Sequence, residues 1–414
     1  MKVLWLTNVV VPQIEKISGI KSSVYGGWLD AFCNDLLGQK DIELIICCPI
    51  NSKKIVKGKK DNFSFYCFTS DQKKQVPQLE EIVLKENPDI IQIFGTEYIH
   101  SFNMIKICEK NEMISKVVIY IQGLVSVYHL HYTAFLPNKV INSFTFRDIL
   151  KMSNIRKSQL KMKQSGFREI YTLSKANHII GRTDWDKACT YQVNPKANYY
   201  NCNESLRDSF YHNRWESDKC EKNSVFMSQC SYPIKGFHIL LEALTIVVRF
   251  LPQVKVYTTG KNLLKLSVKE KVLLTSYDKY LIQLINKNKL QNHVVFLGFL
   301  NEKQMAERFL KSNVFVSASS IENSPNSVGE AMLLGVPTIS SDVGGVKNML
   351  IHGIDGYIYQ ADAPYMLAHY ICEIFNDNAL AKQFSQNARA HALKTHHRQT
   401  NITSLLEIYQ TIHQ

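Results

Sequence analysis

Long apolar runs and C-x-x-C cysteine pairs are missing from the sequence, and residues 1–8 do not have the pattern of a signal peptide. Helices that span a membrane need about 18 or more consecutive apolar residues, and no such run occurs. The ten cysteines include no C-x-x-C pair, which argues against a zinc site of that type and against a disulfide framework, so we expect reduced thiols in a cytoplasmic protein. Residues 1–8 have one basic residue and no small-residue cleavage site, which predicts a strand rather than a signal peptide.

Acidic residues are the minority among the charged side chains. The 414 residues include 49 Lys and Arg against 36 Asp and Glu, which gives a net charge of +13. Such an excess favours anionic partners: nucleotides, phosphorylated substrates, lipid surfaces or nucleic acid. No recognised nucleic-acid-binding module is present, so we expect no nucleic-acid partner. The apolar fraction of 45% is that of an ordinary folded protein and excludes extensive disorder.

Short β-rich apolar runs alternate with longer mixed segments, which is typical of parallel sheets with crossover helices. The predicted strands are 2–6, 43–48, 63–68, 90–94, 116–121 and 178–181 in the first half, and 224–227, 255–258, 294–297, 314–317 and 338–340 in the second. One sheet of about eleven strands would be unusually wide. We therefore predict two Rossmann-like domains, residues 1–205 and 206–390, and a helical segment 391–414 that packs back on the first.

A basic segment, residues 139–168, departs from this alternation. It contains eight Lys or Arg and one acid, Asp148, interleaved with apolar residues such as Phe144, Phe146 and Ile149. The pattern suits an interfacial helix on an anionic membrane surface, with its apolar side in the headgroup boundary. An ordinary solvated helix with one buried stripe explains the pattern equally well.

The most informative stretch is SSIENSPNSVGEAMLLGVPTISSDVGG, residues 319–345. It follows a predicted strand and so lies at the carboxyl edge of a sheet, where open α/β sheets bind ligands. The helix predicted from about Ser327 to Leu334 offers unpaired backbone N–H groups to a phosphate at its first turn. Glu322 in the loop and Glu330 in the helix supply carboxylates, which are suitable acceptors for the hydroxyls of a sugar.

The spacing of Glu322 and Glu330, with the continuation EAMLLGVPTISSDVGG, resembles the E-x7-E motif of retaining glycosyltransferase family 4. The resemblance implies the GT-B fold, an α/β architecture of two Rossmann-like doubly wound domains that face each other across a cleft, with a C-terminal helix crossing back to the first. It implies that Glu330 binds the nucleotide ribose and that Glu322 binds hydroxyls of the donor sugar. It also implies that the following turn presents backbone amides to the sugar and diphosphate, through Asn323, Ser324, Asn326 and Ser327.

Two glycine-containing motifs resemble the same family. Lys235–Gly236 resembles the Lys-Gly that follows the first strand of the nucleotide domain, where a cation would stabilise the leaving diphosphate. Gly26–Gly27 resembles the glycine pair in the first loop of the acceptor domain, where missing side chains let the backbone approach the donor. A surface lysine beside a turn glycine, and a plain glycine turn, are the structural alternatives.

The cations expected at the diphosphate depart from the family pattern. Gln229 and Cys230 stand where an arginine usually precedes the diphosphate lysine. Either another cation substitutes or Lys235 acts alone. Arg182 ends a predicted strand and is a candidate for donor binding, although an ion pair with the aspartates that follow it is an equal alternative.

A histidine that many relatives have after the strand 116–121 is also missing. Gln122 stands in its place, and an amide can hydrogen-bond a sugar hydroxyl but cannot take its proton at pH 7. His100, in the predicted loop after the strand 90–94, is a nearby candidate, with a structural role as the alternative. The catalytic candidates are therefore Glu322, Lys235, Gln122 and His100.

Taken with the resemblance, the sequence predicts a retaining glycosyltransferase that moves a sugar from a nucleotide-diphosphate donor to a hydroxyl of a glycan or lipid-linked acceptor, in surface polysaccharide or glycoconjugate biosynthesis. We expect a cytoplasmic protein, peripheral on the inner face of the membrane through residues 139–168. We expect no cofactor and no metal, because cationic side chains and helix N-termini can serve the diphosphate. The alternatives are a non-catalytic, membrane-associated glycan-assembly subunit with this fold, and a GT-B sugar epimerase or phosphorylase.

Overall fold

The chain forms two compact units. The computed structural model describes residues 1–23 and 26–414, with Gly27 and Trp28 described by their backbone alone. Unit 1 comprises Met1–Ser126, Lys163–Arg207 and His396–Gln414, and unit 2 comprises Val127–Met162 and Asp208–Thr395. Unit 2 therefore includes a segment from the first half of the chain, and unit 1 includes the C-terminal residues.

Strands and helices alternate along most of the chain. The strands are β1 (Lys2–Leu6), β2 (Glu43–Ile50), β3 (Val56–Lys60), β4 (Phe63–Thr69), β5 (Ile90–Phe94), β6 (Val117–Tyr120), β7 (His178–Gly181), β8 (Asn198–Asn201), β9 (Glu221–Met227), β10 (Lys255–Thr258), β11 (Val294–Phe296), β12 (Ser312–Ser317), β13 (Thr338–Ser341) and β14 (Tyr357–Tyr359). The helices are α1 (Pro12–Ser18), α2 (Gly27–Leu37), α3 (Gln72–Glu86), α4 (Ile99–Lys110), α5 (Val125–His131), α6 (Asn138–Ile141), α7 (Phe146–Leu150), α8 (Ile155–Lys175), α9 (Asp184–Val193), α10 (Ser209–His212), α11 (Phe237–Phe250), α12 (Val268–Val272), α13 (Ser276–Lys287), α14 (Glu302–Leu310), α15 (Asn326–Leu334), α16 (Pro364–Asn376), α17 (Asn378–Thr395) and α18 (Arg398–His413).

Unit 1 is built on a doubly wound sheet. The strand order is β3-β4-β2-β1-β5-β6-β7-β8, and the pairs are parallel except for β3 with β4. The order reverses between β1 and β5, so the loops after these two strands diverge to opposite faces. Such a switch point is where open sheets of this kind bind ligands.

Helices cover both faces of the unit 1 sheet. In β1, Val3 and Trp5 pack into the hydrophobic cluster on one face and Leu4 and Leu6 into the cluster on the other. All four side chains are buried, which is why the strand is continuously apolar rather than alternating. The last helix, α18, supplies Tyr409 and its apolar neighbours to the first cluster, so the C-terminal residues are part of the core of unit 1.

Unit 2 has the same doubly wound architecture with a smaller sheet. Its strand order is β11-β10-β9-β12-β13-β14, and the pairs are parallel. Phe226 and Phe315 on neighbouring strands each place their ring centroid 4.9 Å from that of Phe309 in α14. The order reverses between β9 and β12, so the loops after those two strands meet at the switch point of this sheet.

The predicted strands agree closely with those observed. Every predicted strand is present, and the largest change of boundary is in β9, which begins at Glu221 instead of Ser224. The sequence missed β3, β8 and β14, which are all edge strands. Of the helices built from the described residues, none is long and apolar enough to cross a bilayer.

A buried chain of hydrogen bonds joins α18 to strands β1 and β5 of unit 1. The Tyr409 hydroxyl accepts from Trp5 Nε1 at 2.8 Å and donates to Gln92 Oε1 at 2.6 Å. Tyr409→Phe leaves both partners buried without this bond, so we expect the free energy of unfolding to fall by about 1–3 kcal/mol. Urea unfolding followed by circular dichroism measures the change. Tyr191→Phe removes an exposed hydroxyl from the same unit and should change it little; equal effects of the two substitutions would contradict the assignment.

Candidate functional site

The candidate site of unit 2 lies at the switch point of its sheet. Lys235 is in the loop after β9, and Glu322 is in the loop after the neighbouring strand β12. Lys235 Nζ lies 2.6 Å from Glu322 Oε1, and the same oxygen accepts a hydrogen bond from Ser319 Oγ at 2.7 Å. The structure thus brings together two residues that the sequence singled out separately, and it adds Ser319.

The ion pair keeps Lys235 charged. Burial disfavours the ammonium, but the charge interactions and hydrogen bonds that Lys235 makes with Glu322 and Tyr232 together outweigh burial and raise its pKa above the ordinary value. The Lys235 nitrogen also lies 5.8 Å from the ring centroid of Tyr232, and the negative face of an aromatic ring favours a cation. Lys235 is therefore a cation throughout the physiological pH range, placed at the edge of the sheet where an anionic ligand would bind.

Two glycines allow the loops of this site to touch. At Gly236, with φ +72°, a Cβ atom would lie 1.8 Å from the carbonyl oxygen of Ala318, and at Gly344, with φ +50°, one would lie 1.9 Å from that of Glu322. Both backbone conformations are ones that residues with side chains rarely adopt. The Glu322 carbonyl also accepts from the N–H of Gly345 at 3.1 Å. The glycine pair of the DVGG sequence, Gly344 and Gly345, therefore fixes the backbone of Glu322.

Helix α15 starts directly after the loop that holds Glu322. Its first two residues are the predicted donor-binding residues Asn326 and Ser327, and it ends at Gly335 in the left-handed conformation. Pro325 precedes it, and proline has no polar side chain with which to cap the amides of the first turn. Glu330 is the fifth residue of the helix and is buried. The two acids of the motif therefore lie on separate elements, one in the loop and one in the helix.

Segment 127–162 contributes contacts to this loop that the sequence did not reveal. The backbone N–H of Asn323 donates to the Tyr128 hydroxyl at 2.8 Å, and Ser320 Oγ donates to the carbonyl of His131 at 2.9 Å. The partners are 195 and 189 residues apart in the chain, and α5, which holds Tyr128 and His131, matches no motif. Ser324, the remaining residue of the predicted turn, places its hydroxyl 3.4 Å from the sulfur of Met349.

Cys230 does not replace the arginine of the family pattern. Its thiol is buried and lies 3.2 Å from the carbonyl oxygen of Thr259. Burial raises the pKa of the thiol to about 11, so the group is neutral at pH 7. Within residues 1–23 and 26–414, no cluster of three or more His, Cys, Asp and Glu side chains could hold a metal ion.

In unit 1, the side chains of Arg182 and Gln122 both bond to Glu204. Arg182 follows β7, Gln122 follows β6, and Glu204 follows the neighbouring strand β8. Arg182 Nη1 lies 2.8 Å from Glu204 Oε2, with both side chains almost fully buried. Gln122 Nε2 donates to Glu204 Oε1 at 2.7 Å. The sequence analysis did not single out Glu204, because β8 was not predicted and its carboxyl end could not be placed beside that of β7.

His100 is the second residue of helix α4 rather than part of a loop. Its ring stacks on Tyr98 with a centroid distance of 5.1 Å and meets Phe68 edge-on at 5.9 Å. Burial lowers the pKa of His100 to about 4, so the ring is neutral at pH 7. These contacts are those of a packed aromatic side chain.

The glycine pair lies at the start of α2. Gly26 immediately precedes α2, and Gly27 is the first residue of that helix. A Cβ atom at Gly26 would lie 2.8 Å from Cγ2 of Val9. The close approach of Val9 is thus one structural reason for glycine at this position.

Two acids, the half-buried Glu97 and the fully buried Glu169, lie at the carboxyl edge of the unit 1 sheet. Glu169 accepts from Thr96 Oγ1 at 2.6 Å and from the backbone N–H groups of Val125 and Ser126 at 3.1 and 2.8 Å. It therefore joins the loops that follow β5 and β6. Burial, with a contribution from the charge of Glu169, raises the pKa of Glu97 to about 7.

This shift predicts a pH dependence of stability. Because the folded state holds the Glu97 proton up to about pH 7 and the unfolded state only to about pH 4.3, stability falls as pH rises through that window. Glu97→Gln keeps a neutral side chain at every pH. We expect the urea midpoint of the wild type to fall more between pH 5 and pH 8 than that of the variant. Glu81→Gln, an exposed position on α3, is the control; a fall of equal size in wild type and Glu97→Gln would show that Glu97 does not contribute.

Sequence comparisons find relatives that match part of the chain. Residues 209–391 match the family model of glycosyl transferases group 1. Spore coat protein SA of Bacillus subtilis (strain 168) is 28% identical over 192 residues, which cover 46% of this chain and 49% of that protein. N-acetyl-alpha-D-glucosaminyl L-malate synthase of Bacillus anthracis is 26% identical over 133 residues, which cover 32% and 33%. The chain thus spans at most about half the length of these curated relatives.

Structure comparisons cover the whole chain. Sucrose-phosphate synthase from Thermosynechococcus elongatus superposes with a TM-score of 0.71 at 13% identity, over 100% of this chain and 99% of the other. Anabaena HepE in complex with UDP and glucose superposes with a TM-score of 0.69 at 16% identity, over 99% of each chain. The chain has the GT-B fold, an α/β architecture of two Rossmann-like units.

Proposed function

We propose that the chain is a retaining glycosyltransferase that transfers a sugar from a nucleotide-diphosphate donor to a hydroxyl of a glycan or lipid-linked acceptor, in surface polysaccharide or glycoconjugate biosynthesis. The observation that carries the proposal is the ion pair of Lys235 and Glu322. It forms where the loops after β9 and β12 meet, within the residues that match group 1 glycosyl transferases. An open α/β sheet binds its ligand at that edge.

Unit 2 is proposed to bind the donor. Glu330 would accept hydroxyls of the ribose, and Glu322 hydroxyls of the transferred sugar. The amides from Asn323 to Ser327 would bind the sugar and diphosphate, since the start of a helix favours an anion. HepE has been crystallised with UDP and with UDP-glucose, which supports UDP-sugars as the first donors to test.

Lys235 is the proposed electrophilic group. As the bond between sugar and diphosphate breaks, negative charge grows on the leaving group, and a preorganised cation lowers the energy of that state. Glu322 balances the charge of Lys235, and the diphosphate would take over as the partner of the ammonium group. The proposal includes no metal and no cofactor.

Unit 1 is proposed to bind the acceptor. Gln122 is the candidate to hydrogen-bond an acceptor hydroxyl, held in place by Glu204 together with Arg182. His100, packed and neutral, is proposed to support the loop after β5. We place the protein on the cytoplasmic face of an anionic membrane, reached through the basic segment 139–168.

A donor screen tests the proposal directly. UDP-, GDP-, ADP- and dTDP-sugars are added in thermal unfolding, with and without EDTA, and nucleotide release is followed with a candidate acceptor. A donor present at 100 times its dissociation constant adds about 2.7 kcal/mol to stability, so we expect a higher melting temperature for one base, unchanged by EDTA. A flat response across the panel would contradict donor binding. Stabilisation without transfer to any acceptor would favour the non-catalytic assembly subunit.

Substitutions of the two acids of the motif are expected to change different kinetic constants. Glu330→Gln removes binding present in both ground and transition states, so KM for the donor should rise with kcat nearly unchanged. Glu322→Gln should lower kcat more, because its bonds to the sugar strengthen as positive charge grows on the ring. Steady-state kinetics separate the two effects. The control is Glu307→Gln, an exposed acid on α14; transfer that stays at the wild-type level in both motif variants would contradict the assigned roles.

A further inference from the structure

Helix α7 exposes its apolar side chains and buries its acidic one, the reverse of what is usual for a surface helix. Phe146, Ile149 and Leu150 each expose more than half of their surface, whereas the charged residue Asp148 is 1% exposed. Phe144 before the helix and Met152 after it are exposed to a similar degree. We call these five residues the apolar ridge. A surface helix ordinarily points its apolar side chains to the core and its charges to water.

Asp148 fixes this orientation. Thr145 and Asp148 form a capping box at the start of α7. The carboxylate of Asp148 also accepts from the backbone N–H of Ser276 at 3.2 Å and from its hydroxyl, at the first residue of α13. Asn154, just after the ridge, donates to the carbonyl of Ser143 at 3.3 Å. The ridge is therefore held outward from unit 2 by buried polar contacts on both sides of it.

The exposed charged side chains of residues 139–162 have one sign. The segment contains six cationic residues, Lys139, Arg147, Lys151, Arg156, Lys157 and Lys161, and Asp148 as the single acid. Asp148 is buried in the contacts just described and also pairs with Arg147 at 3.4 Å, so the exposed ionised side chains of this segment are cations. Its surface combines a cluster of large apolar side chains with positive charge.

We infer that the apolar ridge inserts into the headgroup boundary of an anionic lipid bilayer, with the surrounding lysines and arginines on lipid phosphates. Clustered exposed apolar side chains mark an interaction surface, and apolar groups flanked by cations match the layered chemistry of an anionic bilayer. A second copy of the chain does not fit as well, because a two-fold contact through the ridge would set the same cations of both copies against each other.

This inference deepens the proposed function, since a lipid-linked acceptor would be presented at the same surface. It does not depend on catalysis. Vesicle binding is measured without any sugar, so loss of vesicle binding and loss of donor binding are separate results.

The experiment is co-sedimentation of the full chain with vesicles of phosphatidylcholine alone and of phosphatidylcholine with phosphatidylglycerol. The ridge variant carries Phe146→Ser, Ile149→Ser and Leu150→Ser; the charge variant carries Lys139→Glu, Lys151→Glu and Lys161→Glu. Matched controls change exposed residues elsewhere in unit 2: Val268→Ser, Phe250→Ser and Phe299→Ser for the ridge, and Lys269→Glu, Lys287→Glu and Lys303→Glu for the charges.

We expect the wild type to bind anionic vesicles about tenfold more strongly than neutral ones, and less strongly in 1 M salt, where the Debye length is about 3 Å. Both variants should lose about tenfold on anionic vesicles, and both controls should bind like the wild type. No binding by the wild type, or an unchanged ridge variant, would overturn the inference. Self-association of the wild type that the ridge variant abolishes, without vesicle binding, would assign the ridge to a second copy.

Fluorescence separates insertion from electrostatic attraction alone. Tryptophan emission shifts to shorter wavelength when the indole leaves water. Phe146→Trp should show this shift on anionic vesicles, and Phe299→Trp, exposed but outside the segment, should not. Binding without any shift at Phe146→Trp would overturn insertion and leave a purely electrostatic contact.

Discussion

The ion pair between Lys235 and Glu322 is the contact on which the site of unit 2 depends. Its partners come from loops that follow the neighbouring strands β9 and β12, at the switch point of the sheet. Taking two charges partly out of water is unfavourable unless their geometry compensates. Here the backbone supplies that geometry: Gly236 and Gly344 allow contacts with Ala318 and Glu322 that any Cβ atom would block.

The same pair explains how a site for an anionic ligand can contain two acids. Glu322 neutralises Lys235 and accepts a hydrogen bond from Ser319. Under the proposed function, a diphosphate at this edge would compete with the carboxylate for the ammonium group of Lys235, and the carboxylate would then be available to the hydroxyls of a sugar. A charge-balanced site therefore suits the proposed donor, whose two halves need opposite kinds of partner: a cation for the diphosphate and an acceptor for the sugar.

Much of this could be predicted from the sequence, for a physical reason. Strands buried on both faces must be apolar throughout, and every strand predicted on that basis is present. The three strands that were not predicted are at sheet edges. Two of them, β3 (VKGKK) and β8 (NYYN), carry polar residues, because one side of an edge strand does not pair with another strand. Because β8 was not predicted, Glu204, which follows that strand, was not recognised as a neighbour of Arg182. The acidic motif was visible because its two acids are eight positions apart, whereas contacts such as Tyr128 with Asn323 join distant parts of the chain.

Segment 127–162 connects the two surfaces on which the proposals rest. At its start, Tyr128 and His131 bond to the loop that holds Glu322. Further along, Asp148 bonds to the first residue of α13, and the apolar ridge surrounds that anchor. The segment is thus fastened to unit 2 at the loop that holds Glu322 and at α13, with the side chains of the apolar ridge pointing outward. A segment that served only to link two sheets would gain nothing from exposing five large apolar residues, and its buried aspartate shows that the exposure is set by specific contacts. From its polar anchors and its outward ridge, we therefore propose that segment 127–162 is a functional element of unit 2 rather than only a connection between strands.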